Sequence, residues 1–214
     1  MSHYSLTEGL YLYLTPAGAY YAVSSMDKDK PRQFLKNILL QQQTPSLNLE
    51  TLHSLTEYDD EQKCLELLHH CQKLGWVQGI ESAKQYPAGA LEDILPDLLG
   101  GISENGKVLL ADKEGFYLVS IGFPHEAAEE LSALSAEIAT VHDRRSGLLR
   151  NNMGLGSNAW AVVDVFGNSH VGFWPLFIGQ NRFVIAILGI PHFNQPDFVS
   201  LVWALSIRYA DKSS

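Results

Sequence analysis

Basic charge is scarce in this 214-residue chain: 15 Lys and Arg stand against 24 Asp and Glu, a formal net charge of −9. Proteins hold nucleic acid by neutralising its phosphates with Lys and Arg. The balance therefore speaks against nucleic acid and anionic membrane as partners. Cysteine is scarce as well, and its two copies, Cys64 and Cys71, are seven residues apart. On the helix predicted there, that spacing is two turns, about 10.5 Å of rise, whereas a disulfide needs Cα atoms within roughly 7 Å. Two free thiols suit a reducing compartment, and the expected location is cytoplasmic. Long apolar runs are absent. No stretch approaches the roughly 20 residues of a membrane helix, and the longest candidate, Phe183 to Ile190, reads as a buried strand. The opening Met1-Ser2-His3-Tyr4 has neither the basic head nor the apolar run of a signal peptide. What is present is ordinary globular composition, 46% hydrophobic and 18% charged, in a chain long enough for two domains.

Motifs that carry chemistry are thin. There is no G-x-x-x-x-G-K-[ST] loop, so the chain is not itself a P-loop GTPase, and no G-x-S-x-G elbow for a serine nucleophile. Cys64-x4-His69-His70-Cys71 has the residue types of a zinc site. Zinc needs four ligands converging at about 2.0–2.3 Å, but on one helix the two thiols are too far apart and His69 points roughly 140° from Cys64. Buried cysteines acting as small hydrophobes are the better reading. Gly154-Leu155-Gly156-Ser157-Asn158-Ala159 imitates a dinucleotide fingerprint, but that motif works between a strand and a helix N-terminus and here it precedes a strand. No catalytic, cofactor or metal residue is expected, and the chain is read as not an enzyme.

In the first half, Leu10 to Leu14, a turn at Thr15-Pro16-Ala17-Gly18 and a return over Ala19 to Val23 suggest an N-terminal β-hairpin. Asp29 and Pro31 open a helix that carries Phe34, Leu35, Ile38 and Leu39. Leu49, Leu52 and Leu55 mark a second. Asp59 or Asp60 caps a third, with Cys64, Leu67, Leu68, Cys71 and Leu74 as its apolar stripe and Gly75 as its stop. The exit through Trp76-Val77 resembles a winged helix-turn-helix domain over roughly residues 30–83. Lys84 to Gly89 is linker-like, so residues 1–86 are expected to form one domain and residues 90–214 another.

The second half reads as an amphipathic helix over Leu91 to Leu99, a strand Lys107 to Ala111, a tight turn Asp112-Lys113-Glu114-Gly115 and a returning strand Phe116 to Ile121. A long helix follows from about His125 to Arg145. Strands Ala159 to Phe166, Val171 to Ile178 and Phe183 to Ile190, and a helix Phe198 to Tyr209, complete it. The succession is α-β-β-α-β-β-β-α, and with the Val108-to-Phe116 hairpin and the Ala/Leu-rich helix it resembles the roadblock/LC7 family, which shares the longin-like, profilin-like fold. The expected fold class is α+β, with a five-stranded antiparallel sheet in the second domain. The resemblance implies dimerisation, and regulation or scaffolding of small GTPases and motor-like machines. It transfers no catalytic residues.

Self-association has its own sequence signals. On the long helix, Leu131, Leu134, Ile138 and Val141 are spaced as a core stripe, leaving Ala128, Ser132, Ser135, Ala136 and Ala139 as a small-residue face. That face suits close helix approach in a dimer, and equally reflects alanine's helix propensity. In the roadblock topology the strand with Trp160, Val162 and Asp164 is an edge, and an apolar edge invites pairing with a second chain. Trp160, facing outward there, becomes an anchor. Arg144 and Arg145 either complement the helix dipole or meet an acidic partner. The favoured reading is a non-enzymatic homodimeric scaffold or regulator. The alternative is a DNA-binding regulator, against which residues 1–90 carry seven basic and ten acidic side chains, and the third helix begins Asp60-Glu61.

Overall fold

A computed structural model describes residues 5–7 and 9–210. Met1–Tyr4 and the last four residues of the expected second domain lie outside the described residues. The chain runs β1 (Tyr11–Leu14), α1 (Pro16–Val23), α2 (Lys30–Leu39), α3 (Leu49–Thr56), α4 (Glu61–Lys73), β2 (Val77–Ile80), α5 (Leu91–Gly100), β3 (Val108–Ala111), β4 (Tyr117–Ile121), α6 (His125–Gly147), a π-helical turn (Leu148–Asn152), β5 (Trp160–Val163), β6 (Ser169–Ile178), β7 (Asn181–Leu188) and α7 (Pro196–Tyr209). It divides into two compact units, one made of residues 1–88 and 194–214, the other of 89–193.

In the first unit the expected hairpin is replaced by a strand and a helix. Thr15 caps α1 through a 3.1 Å bond from the Gly18 amide, and Pro16 takes the first helical position, where its missing N–H costs nothing. The alanines that follow favour helix over strand. β1 pairs instead with β2, antiparallel, Tyr11 opposite Ile80 and Leu14 opposite Val77. The strand that leaves α4 is thus matched by the start of the chain and not by a following wing strand. Gly18 is required by this closure: a Cβ there would sit 2.0 Å from the Trp76 carbonyl oxygen. The helix signals hold, with Asp29 capping α2 and Asp60 capping α4. Buried Arg32 bonds Asp29 at 3.2 Å and lies 4.1 Å over the Tyr21 ring, which stacks on Trp76 at 3.8 Å.

The terminal helix α7 forms where the sequence places it but groups with the first unit, not the second. It packs on α1 and α2. Trp203 is buried and donates its indole N–H to the Gln41 carbonyl at 2.8 Å, and Phe198 meets Tyr20 at 6.4 Å between ring centres. A buried indole needs an acceptor, and the carbonyl just past the end of α2 supplies it.

The second unit is built on a five-stranded antiparallel sheet in the order β4-β3-β7-β6-β5. The β3–β4 hairpin and the β5–β6–β7 meander join through β3 and β7, with α6 as the connection between them. The chain is α+β, as expected. The turns use their forecast glycines: Gly115, Gly167 and Gly179 all have positive φ. Gly115 is also held against α6, where a Cβ would lie 3.2 Å from the Ala133 Cα. Leu109, Ala111, Ala128, Phe173, Val184 and Ala186 form the core beneath α6, with Leu131 and Ile138 packed beside them.

Candidate self-association surface

The small-residue face of α6, expected at an interface, points inward within the single chain. Ala128, Ser132, Ser135 and Ala139 are buried within the single chain, and His142 continues their stripe. Their spacing of 4-3-4-3 is as regular as that of the leucines, and small side chains let the helix lie low on the sheet. The two hydroxyls are spent on the helix itself: Ser132 on the Ala128 carbonyl, Ser135 on that of Ser132. Ala136 is half-buried beneath the Gly115 turn. Four of these five are thus covered within the single chain, and Ala136 is partly covered.

The exposed apolar strip is Leu134, Val141 and Leu148, all 39–50% exposed. At 100° per residue these lie roughly 140° round the helix from the centre of the buried stripe. Their seven-residue spacing is visible in the sequence, although Leu134 and Val141 read there as core. Met153 and Leu155, in the segment leading to β5, are exposed beside the same end of the chain path.

β5 is the outermost strand, and all four of its residues are exposed. Its inner side pairs with β6, Trp160 opposite Phe173 and Val162 opposite Val171, with a register shift before Val163. Trp160 (38%), Val162 (53%) and Val163 (56%) therefore stand on a free edge. The strand is shorter than expected because Asp164 ends it. Its carboxylate accepts from the amides of Phe166 at 2.8 Å and Asn168 at 3.0 Å, and from the Asn168 side chain at 3.0 Å. These bonds, the side-chain one foremost, hold its carboxyl below the ordinary carboxylate range. Asp164 is thus a turn-builder rather than an edge residue, and the turn it builds displays Val165 and Phe166 at 93% and 87% exposure.

Charge along α6 is graded. Glu126, Glu129, Glu130 and Glu137 precede Arg144 and Arg145, both of which are exposed in the last turns. Asp143 is engaged by Arg182 of β7 at 2.7 Å. Trp160 donates to His142 at 2.9 Å, a link between β5 and α6 that sequence reading missed because the two lie 18 positions apart.

Elsewhere the chemistry is structural. Cys64 and Cys71 are free and buried. Burial, with the Asp29 charge adding, pushes the Cys71 thiol up to about 12. Among the described residues no three His, Cys, Asp or Glu side chains converge to hold a metal ion, and no helix is long and apolar enough to cross a membrane.

No protein-family model matches the sequence, and no curated protein is similar to it in sequence. Among solved structures, the chain is similar to a roadblock/LC7 domain from Streptomyces avermitilis. The two share 12% identity over 56% of this chain and 93% of that one, with a TM-score of 0.35. It is also similar to the gliding protein mglB from Thermus thermophilus, at 18% identity over 60% of this chain and 96% of that one, with a TM-score of 0.33. Nothing in these comparisons supports the winged-helix likeness of the first unit.

Proposed function

We propose that this protein is a non-enzymatic, cytoplasmic homodimeric scaffold or regulator, assembled through the β5 edge and the Leu134–Val141–Leu148 strip along α6 and the π-helical turn that follows it. The observation that carries the reading is the unprotected edge. A strand with free N–H and C=O groups and apolar side chains recruits another strand, and a second β5 across a two-fold axis satisfies both copies at once. The graded charge of α6 fits the same symmetry. Antiparallel packing about Val141 sets Leu134 against the partner copy's Leu148, and Glu137 against its Arg145, with Arg144 one position away. This assigns the arginines a role beyond the helix dipole. Regulation of a small GTPase is the finer reading that the roadblock/LC7 resemblance implies. The first unit, with its acidic α4 entrance, is read as a second protein-binding module and not as a DNA reader.

Sedimentation equilibrium tests the assembly. The chain is expected near twice its 23.8 kDa mass. Glu137→Arg is expected to weaken association at least tenfold, and Glu137→Arg with Arg145→Glu to restore it. A monomer at high micromolar concentration refutes the reading. The DNA alternative gains ground only if the chain binds generic duplex at low salt, with affinity falling as salt rises.

A further inference from the structure

Trp160 opens the exposed edge strand, and its indole is tied to the end of α6. The Nε1–H donates to Nδ1 of His142 at 2.9 Å, and the rings meet edge to face, 5.9 Å apart at 88°. An indole N–H can only donate. Nδ1 of His142 therefore presents a lone pair, and the single proton of the neutral ring sits on Nε2. His142 is 8% exposed, so water competes poorly for its ring. A proton arriving at Nδ1 turns the acceptor into a donor and sets two N–H groups face to face. Hydrogen bond and proton exclude one another.

We propose that His142 is a proton-operated brace on the self-pairing surface. Neutral, it holds Trp160 and the start of β5 against α6; protonated, it releases them. The proposal rests on the reading that β5 and the α6 strip pair with a second copy, since the brace joins the two elements of that surface. Histidine changes charge between about pH 5 and 8. Because the closed arrangement requires an unprotonated Nδ1, pairing is favoured at higher pH and weakened as pH falls.

The charged surroundings of His142 are few. Asp143, Arg144 and Arg145 follow it on α6, and Arg150 lies in the segment before β5. Arg182 arrives from β7 and is paired with Asp143 at 2.7 Å. β5 carries no charge, and the one titratable residue of β6, His170, is turned to Asp164 at 3.5 Å.

The test follows the Trp160 indole N–H by NMR in the full chain, assigned with Trp160→Phe, and the self-association Kd at about pH 8 and about pH 5.5. In the wild type the indole signal is expected to titrate as one proton binds, and Kd to rise about tenfold, the scale of losing one modest hydrogen bond per subunit. His142→Asn keeps an acceptor near the Nδ1 position and takes up no proton. It is expected to pair like the wild type at the higher pH and to show no pH response. Trp160→Phe keeps a ring and lacks the donor, and is expected to pair equally at both pH values. An indole signal blind to pH, or a response that survives in His142→Asn, overturns the brace. The two ideas fail separately: a chain monomeric at both pH values overturns self-pairing, and the indole titration alone then decides the brace.

Discussion

Replacing Trp203 by alanine is expected to loosen the first unit and spare the second. Trp203 is 5% exposed on α7, and its indole satisfies the Gln41 carbonyl at 2.8 Å. Removing a buried tryptophan costs about 3–5 kcal/mol through lost contacts and the cavity left behind. The abandoned carbonyl adds roughly 1 kcal/mol, the low end of the range for an unsatisfied group, because Gln41 is exposed and water can reach it. A loss of about 4–6 kcal/mol corresponds to three decades or more in the opening equilibrium of whatever structure depends on α7. Segment-resolved hydrogen exchange reads this directly. Amides of α1 and α2 are expected to exchange about a thousandfold faster, while those of β6 and β7 keep their protection. Trp203→Phe retains most of the ring contacts and loses the hydrogen bond. Its expected cost is about 1 kcal/mol, which accelerates the same amides only about fivefold. If β6 and β7 lose protection while α1 and α2 keep theirs, α7 belongs to the sheet of the second unit after all and the grouping derived from its packing is wrong.

Gly18→Ala drives a methyl into the Trp76 carbonyl oxygen at 2.0 Å, backbone against backbone, and is expected to destabilise the first unit by about 3 kcal/mol, measured by urea unfolding. Asp164→Ala removes the acceptor that organises the β5–β6 turn, and the Phe166 and Asn168 amides are expected to exchange faster. Since the folded carboxyl of Asp164 is held below its ordinary value, the order it confers is present above the ordinary carboxylate range and is lost as pH falls through the depressed value. In the wild type those two amides should therefore stay protected to lower pH than an unperturbed aspartate allows, and NMR exchange rates that follow an ordinary carboxylate titration would contradict this.

Local chemistry is legible in the sequence where one residue type has one role. Aspartates 29 and 60 cap helices, and glycines 115, 167 and 179 bend the chain with positive φ. The strand succession of the second unit is legible for the same reason, because turn residues punctuate it. Ambiguity enters wherever two patterns fit one segment. Thr15-Pro16 serves a turn or a helix start equally well, and the alanines behind it decide for the helix. On α6 two apolar-compatible stripes run side by side, and only the sheet's demand for a low-lying helix selects Ala128, Ser132, Ser135 and Ala139 for burial. On α7 the buried positions run almost unbroken from Phe198 to Ser206, so periodicity gives no direction, and its neighbours are fixed by packing with distant segments. The free edge of β5 is foreseeable from the strand order, whereas the strip beside it reads as core until the sheet is in place. The His142–Trp160 bond needs the fold, since no spacing rule joins a helix end to the first residue of a strand 18 positions later.

Because α7 completes the unit begun by β1, the sheet-bearing unit is an insertion, entered at Gly89 and left at Phe193. During synthesis α1 and α2 therefore emerge about 160 residues ahead of the helix that covers them, a wait of roughly 8–30 s at ribosomal speeds of about 5–20 residues per second. For that interval the apolar flanks of α1 and α2 are bare, while the inserted unit already has every strand it needs. The order of maturation is thus the reverse of the order of translation: what is made in the middle can finish first, and what is made first must wait for the last helix.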